Sequence, residues 1–232
     1  MKKTLLYTAL VLAGIAGAQA QIFKTINSAE MNTGYMNVFE LDGTSFVFGS
    51  GWGIGDLNST YNSASSVTMS PNTIGDPNAF WYTPSGGVGA LGNKIMEGNL
   101  YGQQTGTYAG QVVTFAGNVT SFNLATNAAG IPYTLTAFIR DFASDFSSFT
   151  TSTANITGTG EFAIALGAIN DPSRHVQWGL QIKGPDIWPA DSAQLGVAGS
   201  ATIDAVPEPS TYAMLALGAA GFGAHILRRR RR

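Results

Sequence analysis

The chain lacks cysteine entirely and contains few charged residues. None of its 232 residues is a cysteine, and Asp, Glu, Lys and Arg together make up 11%. A chain without cysteine can form no disulfide and cannot use a thiolate nucleophile. Packing alone must therefore stabilise its fold.

Histidine is also scarce, with two residues in the whole chain. His225 lies in a C-terminal apolar segment, and His175 stands beside Arg174 on the polar face of a predicted strand. A general base needs a nucleophile and an orienting acid, and no sequence pattern supplies either one for His175. We expect a solvated side chain there.

Motifs of common catalytic and nucleotide-binding sites are missing. The sequence contains no HExxH zinc motif, no GxSxG nucleophile elbow and no P-loop. The segment GSGWGIG at residues 49–55 has glycines spaced roughly as in a dinucleotide-binding loop, but no helical pattern follows it. A turn or a bulge is the better interpretation of these glycines. The sequence therefore predicts a protein that is not an enzyme and that has no cofactor or metal.

Basic residues are rare between residues 21 and 205. The whole chain carries a formal net charge of −2, but most of its bases lie at the two ends. The segment between the ends holds thirteen acidic residues and five basic ones, a net charge of −8; the basic residues are Lys24, Lys94, Arg140, Arg174 and Lys183. Nucleic-acid binding needs Lys and Arg clustered on one face, so no nucleic-acid partner is expected.

The first 20 residues have the pattern of a secretory signal peptide. Lys2 and Lys3 form a positive start, residues 5–16 form an apolar run, and Ala18 and Ala20 frame a small-x-small cleavage site. We expect signal peptidase to cleave after Ala20. A retained N-terminal anchor is the alternative, although the apolar run is short for a membrane span.

The last 27 residues consist of three parts in a fixed order. A proline-flanked acidic motif comes first, an apolar segment at residues 211–227 follows, and a block of five arginines ends the chain. The motif is Val206, Pro207, Glu208, Pro209 and Ser210, and the block is Arg228, Arg229, Arg230, Arg231 and Arg232. Seventeen helical residues span about 26 Å, which approaches the ~30 Å hydrocarbon core of a membrane. The arginines would act as a membrane stop and hold the C-terminus on the cytoplasmic side.

This three-part order closely resembles the PEP-CTERM sorting tail of exported bacterial proteins. The resemblance implies a membrane-embedded exosortase as partner, which cleaves near the motif. It also implies a protein that is anchored transiently in the inner membrane and then reaches the cell surface or the extracellular matrix. A plain tail anchor is the alternative, but such an anchor needs no Pro-Glu-Pro motif.

Residues 21–205 show the alternation of β-strands and no sustained helical period. At residues 175–183, apolar side chains at positions 176, 178, 180 and 182 alternate with polar ones, and comparable patterns occur at 113–120, 133–140 and 161–166. A strand with one apolar face needs a second layer to cover it. We therefore predict an all-β fold, a single jelly-roll-like β-sandwich of eight to ten strands. An immunoglobulin-like sandwich is the alternative.

A looser resemblance covers parts of this segment. The sequences SGWGIGDL (residues 50–57), YAGQVVTFAGNV (108–119), TAFIRDF (136–142) and GPDIWP (184–189) are similar to those of PEP-CTERM proteins whose ectodomain is a jelly roll. Carbohydrate-binding modules share that fold, but a fold alone does not define a ligand.

Aromatic residues are the candidate ligand-binding side chains. Exposed aromatic rings can stack on sugars. Trp178 alternates in phase with apolar neighbours and belongs to the predicted core, whereas Trp81, Tyr82 and Trp188 stand near prolines in predicted loops. These three residues are the predicted polysaccharide contacts, with packing within the loops as the alternative.

Four aspartates come in two pairs around aromatic residues. Asp141 and Asp145 flank Phe142, and Asp186 and Asp191 flank Trp188. Such pairs can supply oxygen ligands to a structural calcium or act as the acid and base of a glycosidase. We expect solvated loop carboxylates instead.

Together these patterns predict an exported cell-surface or matrix protein with a non-catalytic, structural or adhesive β-sandwich. A carbohydrate-binding module is the alternative function, and a hydrolase is the weakest one.

Overall fold

The computed structural model describes residues 21–126, 130–192 and 198–208. The predicted signal peptide, the apolar segment at 211–227, Pro209, Ser210 and the arginine block lie outside the described residues. Within the described ranges no helix is long and apolar enough to cross a membrane.

The described residues form fourteen strands and one helical turn. The strands are β1 (Ile22–Lys24), β2 (Thr33–Phe39), β3 (Phe46–Trp52), β4 (Ser59–Ser63), β5 (Ser66–Met69), β6 (Tyr82–Thr83), β7 (Leu91–Gly92), β8 (Ile95–Thr105), β9 (Val112–Phe122), β10 (Thr134–Phe142), β11 (Phe149–Ile156), β12 (Gly160–Gly167), β13 (His175–Pro185) and β14 (Ala201–Asp204); the helical turn is α1 (Pro189–Ser192). This number exceeds the predicted eight to ten. The additional strands are short ones, such as β1, β6 and β7, in which too few residues alternate to give a periodic signal.

Sheet I is built around β9. One edge of β9 pairs with β12 along residues 112–119. Since a strand has two edges, the other edge is shared end to end by β1, which is parallel at residues 113–115, and by β14, which is antiparallel at residues 118–122. β5 pairs with β14, and β4 pairs with β5. β14, the last strand of the described residues, is thus an interior strand of sheet I.

Sheet II is fully antiparallel, in the order β11-β10-β13-β8-β2-β3. Its three central strands are long, with 9 to 11 residues each. The connection from β2 to β3 turns at Gly43, whose φ of 70° suits glycine, while the carboxylate of Asp42 accepts the N–H groups of Thr44 and Ser45. A separate pair, β6 and β7, forms a small third sheet.

The inner faces of sheets I and II enclose one hydrophobic core. Its fully or nearly fully buried members come from both sheets: Met36, Val67, Met69, Leu100, Val113, Phe115, Leu135, Ile139, Trp178, Leu180 and Ile203. The alternation predicted at residues 175–183 is confirmed, because the side chains of Val176, Trp178 and Ile182 are buried there. The predicted all-β, jelly-roll-like β-sandwich is likewise confirmed.

A candidate binding cleft on the outer face of sheet II

The alternation of side chains that buries one face of sheet II also determines which residues lie on its outer face. In β8, Met96 and Leu100 enter the core, so Glu97, Asn99 and Tyr101 point outwards. The outward row is completed by Gln103. These residues are polar or amphipathic, as expected for a strand with one solvated face.

Strand register places the outward residues in rows across the sheet. Lys183, Glu97 and Asn37 form one row, and Gln181, Asn99 and Tyr35 form the next. A third row contains Phe138, Gly179 and Tyr101, and a fourth contains Arg140, Gln177 and Gln103. Residues that are far apart in sequence therefore become neighbours on this face.

These rows form the floor of a cleft of about 580 Å³, which we call the sheet II cleft. Its lining combines aromatic rings, side-chain amides and two charged groups: Tyr35, Asn37, Glu97, Asn99, Tyr101, Gln103, Arg140, Phe142, Phe146, Phe149 and Gln177.

Hydrogen bonds between side chains hold the amide groups of the floor in place. Asn99 is 2% exposed, and its Oδ1 accepts hydrogen bonds from Arg140 Nη1 at 3.0 Å and from Gln181 Nε2 at 2.9 Å. Gln177 Nε2 donates to Gln103 Oε1 at 2.8 Å. Asn99 Nδ2 donates to the carbonyl oxygens of Tyr35 and Glu97, so Asn99 orders the floor from within. The exposed amide of Gln103, which Gln177 orients, is preorganised for a ligand.

An aromatic wall closes one end of the cleft. Phe142 at the end of β10 packs against Phe146 and Phe149, with ring centroids 5.5 and 4.8 Å apart. About half of the surface of each of these last two residues is exposed. Phe146 has a φ of 58°, and Asp145 accepts hydrogen bonds from the N–H and hydroxyl of Ser147 in the same turn. The turn thus presents Phe146 towards the cleft instead of burying it.

His175 supports this wall from behind. Its ring stacks on Phe146 with centroids 4.4 Å apart and an interplanar angle of 3°. Its Nδ1 lies 2.7 Å from Thr105 Oγ1 and its Nε2 lies 3.2 Å from the carbonyl oxygen of Ser144. The predicted solvated histidine is thus half-buried, and both of its ring nitrogens have protein partners.

Tyr101 and Arg140 occupy the middle of the cleft. A Cβ at Gly179, in the row of Tyr101, would lie 2.2 Å from the carbonyl oxygen of Leu100 and 2.7 Å from Tyr101 Cβ. Any side chain at position 179 would therefore clash with Tyr101, and glycine avoids this clash. The guanidinium of Arg140 lies 3.9 Å from the ring centroid of Phe138. Burial raises the pKa of Tyr101 and lowers the pKa of Arg140.

The predicted contacts Trp81, Tyr82 and Trp188 lie outside this cleft. Tyr82 is fully buried, and its hydroxyl donates to the carbonyl oxygens of Ile74 and Ile187. Its ring packs edge-on against the half-buried Trp188, at 5.6 Å. The structure does not bring Trp81 to this pair.

Trp81 packs instead against two phenylalanines. Its ring lies 4.7 Å from Phe80 and 6.2 Å from Phe48. A Cβ at Gly86 would lie 2.6 Å from Trp188 Cζ3, so the ring of Trp188 rests on the backbone. All three residues thus pack the loop region of β6 and β7 onto the body. Ligand binding by them stays a prediction.

Three of the four aspartates contradict the prediction of solvated carboxylates. Asp141 is fully buried, Asp186 is 2% exposed and Asp191 is 5% exposed, while Asp145 is on the surface as expected. Asp141 Oδ1 pairs with Arg174 Nε at 2.9 Å, and its Oδ2 accepts the N–H of Ile169 at 2.8 Å. It fastens β10 to the segment before β13.

The two aspartates beside Trp188 also have structural partners. Asp186 Oδ1 accepts the N–H of Lys94 at 3.0 Å, and burial raises the pKa of Asp186 to about 7. Asp191 Oδ2 accepts the N–H of Gly89 at 2.8 Å. Across the described ranges no three His, Cys, Asp or Glu side chains are grouped to hold a metal ion.

The sheet II cleft was not predicted from the sequence because its floor consists of polar positions that look like an ordinary solvated face. One signal was available. The outward positions of β8 are Glu97, Asn99, Tyr101 and Gln103, and these residue types carry groups that can hydrogen-bond sugar hydroxyls or stack on sugar rings.

The fold and the cleft together define a jelly-roll-like β-sandwich with a lined groove on the outside of one sheet. Residues 205–232 match the family of the PEP-CTERM protein-sorting motif. The chain therefore carries the sorting motif of an exported protein that is processed by exosortase and sorted to the cell surface.

The solved structures that the chain resembles are distant in sequence. One is described as carbohydrate-binding modules from the β-sandwich superfamily, with 11% identity, a TM-score of 0.32 and coverage of 75% of this chain and 84% of the other. TmCBM61 in complex with β-1,4-galactotriose has 7% identity, a TM-score of 0.29 and coverage of 75% and 82%. The CBM22-2 xylan-binding domain of Paenibacillus barcinonensis Xyn10C has 7% identity, a TM-score of 0.27 and coverage of 73% and 96%. These similarities are too distant to support an argument about the ligand. No curated protein sequence matches the chain.

Proposed function

We propose that the exported body of this protein, residues 21–205, is a carbohydrate-binding module that binds polysaccharide at the cell surface without catalysis. Export would use the N-terminal signal peptide, which signal peptidase removes, and a transient anchor in the inner membrane. A ligand-free structural or adhesive role is the function predicted from the sequence. That role stays the alternative.

The composition of the sheet II cleft is the observation that carries this proposal. Sugar rings have apolar faces that stack on aromatic side chains and a rim of hydroxyls that exchange hydrogen bonds with amides. The cleft offers exposed rings at Phe146 and Phe149 and the exposed amide of Gln103, which Gln177 holds in place. Both parts of a sugar would thus find a complementary group within one groove.

A glycan array followed by affinity electrophoresis tests the proposal. We expect the protein to bind at least one polysaccharide. Replacing both Phe146 and Phe149 with alanine should weaken this binding by about 10-fold or more, because each lost stacking contact is worth roughly a kcal/mol.

Phe46→Ala is the matched control. Phe46 is 62% exposed, more than either wall residue, but it is on β3 and does not line the cleft. Its loss should leave polysaccharide affinity unchanged. If no glycan binds at all, the body has the structural or adhesive role instead.

A further inference from the structure

The basic residues of the body are few, and all but one are ion-paired. Lys24 pairs with Glu30 at 3.0 Å, Lys94 with Glu40 at 3.1 Å, Arg174 with Asp141 at 2.9 Å and Lys183 with Glu97 at 3.3 Å. The fifth base is Arg140. Among the described residues, no carboxylate oxygen lies within 4.0 Å of its nitrogens.

The absence of an ion-pair partner for Arg140 among the described residues is unexpected in a segment of this composition. The segment holds thirteen acidic residues for five basic ones, so acids are in excess and a partner for Arg140 would be easy to supply. Burying a charge without a partner is unfavourable, and burial does lower the pKa of Arg140. A half-buried cation that the fold leaves unpaired is thus available to an anion from outside.

Arg140 is also held in position for such an anion. Its Nη1 donates to Asn99 Oδ1 at 3.0 Å, and the ring of Phe138 supports the guanidinium plane at 3.9 Å. A guanidinium has five N–H donors, and the bond to Asn99 uses one of them. Nε and Nη2, which lie on one edge of the fork, have no acceptor among the described residues. That edge matches the two oxygens of a carboxylate.

The one carboxylate in the cleft does not oppose this role. Glu97 is paired with Lys183 at 3.3 Å and accepts a hydrogen bond from Asn37 at 3.1 Å. Lys183 therefore offsets part of its charge. Burial lowers the pKa of Arg140, and the charge of Glu97 opposes this shift from a distance, without a direct contact. Arg140 stands three rows away, and it places a positive charge in the cleft of a body that is acidic as a whole.

We propose that the sheet II cleft binds a sugar unit that carries a carboxylate, a uronate of an acidic polysaccharide, with that carboxylate on Arg140. This inference rests on the proposed function and names its ligand class. A sulfate ester could present similar anionic oxygens. The planar two-oxygen fork of a carboxylate fits the free edge of Arg140 better, and the experiment below separates the two groups.

The negative net charge of the body disfavours nonspecific electrostatic adsorption as a source of uronate binding. A surface with a net charge of −8 repels polyanions, so an acidic polysaccharide will not adsorb to it by general electrostatics. Affinity for a uronate must then come from a local contact. A single substitution at Arg140 should remove it.

The test uses the full chain in a polyoxyethylene detergent, which carries no sugar group. Binding is measured to immobilised polygalacturonate, to the same polymer after reduction of its carboxylates, and to dextran sulfate. We expect binding to polygalacturonate and at least 10-fold weaker binding to the other two, as a charge-assisted hydrogen-bonded pair is worth about a factor of 10 to 100.

Substitutions assign the effect to the residue. Arg140→Gln should lose the preference for the acidic polymer, and Arg140→Lys should keep part of it, because lysine retains the charge but not the fork. Lys24→Gln is the control. It makes the same change in net charge on sheet I, and the preference should persist.

Each remaining outcome overturns the inference in a distinguishable way. Equal binding of the acidic and reduced polymers by the unsubstituted protein would exclude a uronate as the ligand. The proposed polysaccharide binding would still hold. Tighter binding of dextran sulfate would identify a sulfate ester, and not a carboxylate, as the anionic group that Arg140 binds. No binding to these polymers or to any glycan on the array removes both this inference and the proposed function. The polymer comparison uses unsubstituted protein, so it holds even if an Arg140 variant fails to fold.

Discussion

At the residue scale, Asp141 shows how a partner that is distant in sequence changes the character of a side chain. It follows Arg140 directly, yet the two residues face opposite sides of sheet II. Arg140 lies in the cleft, while Asp141 is fully buried against Arg174. Arg174 also donates through Nη2 to the backbone oxygen of Asp141 at 2.7 Å. Thirty-three residues separate the partners, so no local pattern could reveal the pair.

The buried pair predicts a large loss of stability for Asp141→Asn. Removing one partner leaves the guanidinium of Arg174 without its counter-charge in a mostly buried site, which typically costs about 3–5 kcal/mol. Urea denaturation should show a lower midpoint with an unchanged slope.

Asp145→Asn is the matched control for this prediction. Asp145 lies four residues further along the chain, on the surface, where it accepts hydrogen bonds from the N–H and the hydroxyl of Ser147. We expect its replacement to leave the midpoint almost unchanged. Equal shifts for the two variants would mean that the Asp141–Arg174 pair does not stabilise the fold.

At the element scale, the alternation along each long strand determines both the core and the cleft. The sequence was sufficient to predict the inward face of β13, because Val176, Trp178 and Leu180 repeat with the period of a strand. It was also sufficient for the all-β class. The strand count was wrong because strands of two or three residues carry no period of their own.

The alternation could not reveal how residues are arranged on the outward face of the same strands. Polar residues at alternate positions indicate only that one face is solvated, and they do not show which strands lie side by side. Register brings Tyr35 of β2 next to Asn99 of β8, which are 64 residues apart. The aromatic wall depends on the unusual backbone of Phe146, and that conformation follows from the turn as a whole. The predicted sugar contacts Trp81, Tyr82 and Trp188 were chosen from neighbouring prolines. They pack a loop region outside the cleft, and their role in ligand binding stays a prediction.

Two glycines on sheet II allow a test of the cleft at the level of its strands. In Gly179→Ala the new Cβ would meet the carbonyl oxygen of Leu100 at 2.2 Å and Tyr101 Cβ at 2.7 Å. Such overpacking costs about 1–3 kcal/mol. Because Tyr101 must move, we also expect polysaccharide affinity to fall. Thermal unfolding and affinity electrophoresis measure the two effects.

Gly51→Ala is the control on the same sheet. Gly51 pairs with Tyr35 in the register of β2 and β3, and a Cβ there has no heavy atom within 4 Å. Stability should change by no more than about 0.5 kcal/mol, and polysaccharide binding should persist. If Gly179→Ala binds sugar as well as Gly51→Ala does, Tyr101 is not a ligand contact.

At the scale of the whole molecule, the sheet II cleft and the sorting motif lie against different sheets. The cleft lies on sheet II. Val206 donates its N–H to Thr25 Oγ1 at 2.9 Å, and with Pro207 it lines a groove whose other residues come from β1, β9 and β12 of sheet I. The last strand ends at Asp204, so one residue separates it from the motif. Processing at the motif can therefore proceed without disturbing the cleft.

The position of the motif predicts the effect of removing it. Pro207 and Glu208 are exposed and follow β14 outside any strand, and a proline fixes φ and lacks the N–H that strand pairing would use. In a double variant, Pro207→Ala with Glu208→Ala, the body should fold normally while exosortase no longer recognises the tail. We expect uncleaved protein to accumulate in the inner-membrane fraction, detected by fractionation and by its larger mass.

The control for this variant is Glu161→Ala. Glu161 is an exposed acid on β12 that lines the same groove as Pro207, so its replacement removes a carboxylate beside the motif but leaves the motif itself intact. This variant should mature normally. The double variant should still bind polysaccharide after extraction, because its cleft is unchanged, and that result separates a sorting defect from a folding defect. Normal maturation of the double variant would show that residues 207 and 208 are not what exosortase reads in this chain.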